Sequence, residues 1–81
     1  PLEAPARDPA AAARLLDAGI AAYRAGRIGD AATRLDAAVK ADPTNALAWY
    51  YLGAVQWSLG KTDAARDNFR QGAAHEAAGT A

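Results

Sequence analysis

Displacing the chain by 34 residues lays its punctuation over itself. Gly19 then falls on Gly53 and Gly26 on Gly60, while Tyr23 falls on Trp57, Ala31 on Ala65 and Leu35 on Phe69. Leu15 and Leu16 fall on Trp49 and Tyr50. Two copies of one such unit leave little choice of architecture. A helix–turn–helix unit has about this period, and a unit that cannot bury its apolar stripe alone does so by stacking on its neighbour.

The local signals agree with four helices and three short loops. Asp8-Pro9 opens the first: the carboxylate caps free N–H groups, and proline at the first helical position loses no hydrogen bond. Gly26 stands where a glycine ends that helix. A second helix is expected from 28 or 29 to 41, with Asp30 in its first turn, Lys40 in its last and an Asp36–Lys40 pair one turn apart. Asp42-Pro43 ends it. A third runs from Thr44 or Asn45 to Leu59, stopped by Gly60, and a fourth from Thr62 or Asp63 to about His75. Gly72 weakens the fourth and Gly79 ends any continuation. Residues 1–8 read as a leader or linker, 9–78 as one domain and 79–81 as a tail. No segment shows the alternation of a strand.

Alanine supplies 25 of the 81 residues, so the apolar fraction of 52% contains only 17 residues larger than alanine. A core built from these is thin, and the helices must approach closely to fill it. Gly19 and Gly53 have a use here: each lets the second helix of its own hairpin come near, with Ala31 and Ala65 opposite and Leu35 and Phe69 one turn on. The expected core is Leu15, Ala18, Gly19, Ala22, Ala31, Leu35, Ala38, Trp49, Leu52, Gly53, Ala65 and Phe69. Val39 and Leu59 join it near the junction, and Trp49 is expected to be its largest single contributor.

Residues 46–78 resemble a tetratricopeptide repeat, with Trp49, Leu52, Gly53, Gly60, Ala65 and Phe69 at that family's spacing. Residues 12–45 resemble a diverged copy that keeps Gly19, Tyr23, Ala31, Leu35, Ala38, Asp42 and Pro43. Departures are Leu15 where Trp is common, Ala18 where Leu is common, Ala22 and Gln56 where Tyr is common, and Gly72 where Ala is usual. The resemblance implies an all-α fold of two antiparallel hairpins in a short right-handed superhelical array. It also implies a scaffold without catalytic machinery, whose concave face binds peptides.

In such an array the first helix of each hairpin lines the concave side. The positions pointing there are Ala13, Leu16, Ile20, Tyr23 and Arg24 in the first repeat, and Leu47, Tyr50, Ala54, Trp57 and Ser58 in the second. Taken singly, each apolar member could serve packing instead. As a group they exceed what one face needs, which points to an apolar contact surface. The family's clamp for a C-terminal carboxylate uses Lys, Arg and Asn; those places here hold Leu16, Ile20, Tyr50 and Ala54. A second reading makes the chain a self-association unit, joined through this apolar face or through the uncapped end of the array, since residues 76–81 are too small to cover it.

Other function classes find little support. Nine basic and nine acidic residues balance and are interleaved, so no basic stripe points to nucleic acid. No run of 18 apolar residues is present for membrane insertion. Cysteine is absent, removing thiolate and Cys-zinc chemistry. His75 is the only histidine and is expected to be solvated; with Glu76 alone beside it, no metal site is expected. Asp63–Arg66 and Asp67–Arg70 read as a solvated helix face rather than a carboxylate pair for catalysis. Ser58 lacks a nucleophile-elbow context, and no phosphate-binding glycine loop occurs. No cofactor is expected. Abundant Ala, Arg and Asp are in keeping with a GC-rich bacterial genome, while nothing in the sequence assigns a compartment.

Overall fold

The computed structural model describes residues 6–80. Residues 1–5 of the expected leader, and Ala81, lie outside the described residues. Four helices follow one another: α1 (Pro9–Arg24), α2 (Ile28–Ala41), α3 (Ala46–Ser58) and α4 (Thr62–Thr80). Among the described residues there is no strand. The helices pair as α1 with α2 and α3 with α4, and the two hairpins join through α2 and α3, with a lesser contact between α1 and α3.

The helix ends obey their sequence signals. The Asp8 carboxylate accepts from the Ala11 N–H at 3.0 Å, while the Asp8 N–H donates to the Ala41 carbonyl at 2.9 Å, tying the start of α1 to the end of α2. Asn45 caps α3 through the Ala48 N–H at 3.2 Å. Both hairpin turns use one device. Gly26 and Gly60 each take φ of 78°, and the following residue donates back into the helix, Arg27 to the Ala22 carbonyl and Lys61 to the Gln56 carbonyl, both at 2.9 Å. This wrap satisfies carbonyls that the helix end would otherwise orphan. Helix α4 departs from expectation by running through Gly79 to Thr80. Gly79 carries no positive φ, and the strong helix formers Ala73, Ala74, Ala77 and Ala78 sustain the last turns.

Within each hairpin the approach is as close as the glycines permit. A Cβ added to Gly19 would stand 2.6 Å from Leu35 Cγ, and one added to Gly53 would stand 2.5 Å from Phe69 Cε1. Gly72 has the same role, which sequence reasoning took for a weakness. Its added Cβ would meet the Tyr50 ring at 2.9 Å and the Ala46 carbonyl oxygen at 3.2 Å. In the first repeat the equivalent pair is Leu16 and Ala38, both buried. The larger Tyr50 is therefore matched by the smaller Gly72, a swap that conserves volume across the seam.

The core holds Leu16, Ala22, Ala31, Leu35, Ala38, Val39, Ala48, Leu52 and Val55. Several expectations need correction. Leu16 is only 6% exposed and belongs to the core rather than to an outer face. Trp49, expected deepest, is half-buried against the core's edge. Leu59, in the turn between α3 and α4, is exposed, and so is Phe69, over which the described residues place no further helix; among them α4 packs on α3 alone. Leu15 and Ala18 are half-buried for the same reason at the other end. Ala12, Ala48 and Val55 are buried although their sequence positions did not single them out.

A polar knot closes the α2–α3 turn. Asp42, 6% exposed, accepts from the Thr44 hydroxyl at 2.6 Å and from the Thr44 N–H at 3.0 Å. The Thr44 hydroxyl holds the Asp42 carboxyl below its ordinary value of 3.8. Burial opposes this, and the Thr44 N–H and the charges of Arg7 and His75 add to it. Trp49 donates its indole N–H to the Pro43 carbonyl at 2.7 Å and lies nearly parallel to the His75 ring, with centroids 6.3 Å apart. His75 is thus half-buried rather than solvated, and it ties α4 to the helix below it.

Two predictions follow from this packing. Gly19→Ala and Gly53→Ala should each destabilise the fold, because overpacking costs about 1–3 kcal/mol against a helix-propensity gain of about 1 kcal/mol. Gly29→Ala, whose added Cβ meets nothing within 4 Å, should stabilise it instead, and thermal melts of the three variants check the sign. Because the folded-state value of Asp42 is depressed, its contribution is intact above pH 3.8 and is lost as pH falls through the lower folded value. Asp42→Asn should therefore lower the thermal midpoint at neutral pH and flatten its decline on the acid side of pH 3.8.

Candidate functional site

Periodicity brings the ends of α1 and α3 to one side. Tyr23 and Trp57 occupy equivalent places in the two repeats, each one residue before its helix's last, Arg24 and Ser58. Together with Ala54, Ser58 and Phe69 they line an open cleft of ≈ 390 Å³. Trp57 is 58% exposed, the most exposed large apolar side chain in the described structure. Its neighbours floor the cleft without crowding it: Ala54 is small, and the Ser58 hydroxyl turns back to donate to the Ala54 carbonyl at 3.2 Å. Among the lining residues none carries a charge.

Four of the nine expected surface residues therefore meet in the cleft: Tyr23, Ala54, Trp57 and Ser58. Arg24 is exposed beside Tyr23 and makes no ion pair among the described residues. Leu47 is 51% exposed at the far end of α3. Ile20 is half-buried and packs on the core, and Leu16 is buried in it. Tyr50 is half-buried over Gly72. Its phenol is raised above the ordinary value of 10.0, first by loss of solvation and then by the Glu76 carboxylate beside it, so it remains a hydrogen-bond donor at neutral pH. The expected stripe thus splits into the aromatic cleft, an exposed Leu47 and a packed middle.

Phe69 is the member that sequence reasoning placed in the core instead. The signal for it was the end of the array: its counterpart Leu35 is covered by α3, whereas the described residues place no helix over Phe69. Elsewhere, no His, Cys, Asp or Glu side chains among the described residues gather in threes to hold a metal ion. No helix of the described residues is long and apolar enough to cross a membrane. Of the expected pairs on α4, Asp67 and Arg70 meet at 3.7 Å, both widely exposed.

No curated protein and no solved structure gives a significant match to this chain. A family comparison does: the tetratricopeptide repeat profile matches residues 16–79, spanning both hairpins. With that match, four helices paired as two hairpins and glycines at both close approaches, the chain belongs to the tetratricopeptide repeat family, whose repeats mediate protein–protein interaction.

Proposed function

We propose that this chain is a protein-interaction module that takes a short apolar segment, extended or helical, into the cleft formed by Tyr23, Ala54, Trp57, Ser58 and Phe69. One observation carries the reading. A chain with few large apolar residues leaves Trp57 58% exposed, in one cleft with two further aromatic rings. Aromatic side chains give large contact area for few frozen torsions, which is why they anchor interfaces. The absence of charge among the lining residues favours an apolar anchor on the partner. Arg24 at the rim supplies a donor for a polar or acidic flank. Leu47 offers a separate exposed apolar contact at the far end of α3, whereas Tyr50, Ile20 and Leu16 pack within the repeats.

Two repeats offer a small surface, so affinity should be modest, about micromolar. Selection of displayed peptides against the chain, followed by titration using tryptophan fluorescence, tests the reading. Trp57→Ala should weaken binding of a selected peptide by about tenfold or more, the scale of an interface hot spot, with an unchanged thermal midpoint. Trp49→Ala should instead lower the midpoint, since it removes the Pro43 bond and the His75 stack. A Trp57→Ala protein that binds as wild type, or that unfolds, removes the cleft from consideration.

A further inference from the structure

The charges of this chain balance in number but not along its helices. The turns of both hairpins lie on one side of the described structure, where α1 and α3 finish and α2 and α4 begin. Residues 21–35 and 55–69, which build that side, carry five basic and three acidic residues. Two of the three carboxylates are already engaged, Asp30 by Arg34 at 3.0 Å and Asp67 by Arg70 at 3.7 Å. Arg24, Arg27, Lys61 and Arg66 are exposed and make no ion pair among the described residues. Within these segments only Asp63 is left to set against them.

Three of the four cations adjoin the aromatic cleft in the chain. Arg24 follows Tyr23 directly. Lys61 closes the turn after Ser58, its N–H donating to the Gln56 carbonyl at 2.9 Å. Arg66 precedes Phe69 on α4 by about one turn. Arg27 differs, lining a separate hollow with Ala18, Ala21, Ala22 and Ala25. The cleft itself is lined without charge. An apolar floor inside a cationic rim divides the work of recognition. The floor takes an apolar anchor, and the rim decides which flanks that anchor can carry. A basic flank would meet like charge at three places. An acidic flank finds three cations, none of which has an ion pair to give up.

From this arrangement we infer that the partner segment is acidic: one or two apolar residues enter the cleft, and carboxylates on both sides of them reach Arg24, Lys61 and Arg66. The inference rests on the cleft being the binding site. Because the rim contacts are exposed, each is weak. They select the partner and speed its encounter more than they hold it.

Selection of displayed peptides tests this, using a central Leu-Phe or Leu-Trp pair with flanking positions mixed equally among Asp, Asn and Lys. Asp should dominate the flanks of peptides retained at low salt, and the bias should fade near about 0.5 M salt, where screening is strong. A synthetic peptide from that pool should bind about tenfold tighter than its counterpart with asparagine flanks, as several exposed pairs together allow. Arg24→Glu and Arg66→Glu combined should abolish that advantage with the thermal midpoint unchanged. Arg14→Glu, exposed near the start of α1, changes the net charge without touching the rim and should preserve it. Flanks with no preference for Asp, or an Arg14→Glu effect equal to that of Arg24→Glu, overturn the inference and leave the cleft standing. Selected peptides that bind Trp57→Ala as they bind wild type remove the cleft, and the inference with it.

Discussion

Everything in this molecule depends on how closely the two helices of each hairpin approach. Leu35 rests on the bare backbone of Gly19, and Phe69 on that of Gly53. With so few large side chains, a core can be filled only by bringing backbones together, and dispersion contacts at close range replace the bulk that the composition lacks. The small residues opposite, Ala31 and Ala65, are both fully buried and finish the same contact from the other side. The Gly26 and Gly60 turns then return the chain at the distance this contact requires. The hairpin is thus one constraint expressed at three positions, and the repeat is that constraint used twice.

One difference between the two copies is a compensating pair. Tyr50 replaces Leu16 and Gly72 replaces Ala38, so the second hairpin accepts a ring where the first accepts an aliphatic side chain. The ring brings a hydroxyl, and the hydroxyl needs a polar outlet; Glu76 stands beside it on the extended α4. The same end of α4 carries His75 to Trp49, whose indole reaches the turn at Pro43, next to the buried Asp42. Residues that looked like a weak helix end in the sequence therefore connect the last helix to the junction between the hairpins.

The helices, their caps and the hairpin contacts were legible in the sequence because each rests on local chemistry or on the 34-residue offset. Burial was less so, and the reason is geometric. The offset treats the copies as equal, but a position on α3 lies between two hairpins while its counterpart on α1 has a neighbour on one side. Val55 is fully buried and Ala21 exposed at equivalent positions for that reason, and Leu35 and Phe69 differ in the same way. The candidate site inherits this. Tyr23 and Trp57 could be placed together from periodicity alone, whereas Phe69 joins them only because its outer side is bare.

Phe69 consequently stands at the meeting of two surfaces. Its side chain lines the aromatic cleft with Trp57, and the 34-residue offset puts it on the face of α4 that corresponds to the side of α2 packed on α3. A helix laid along α4 in the way α3 lies along α2 would cover the same ring that closes the cleft.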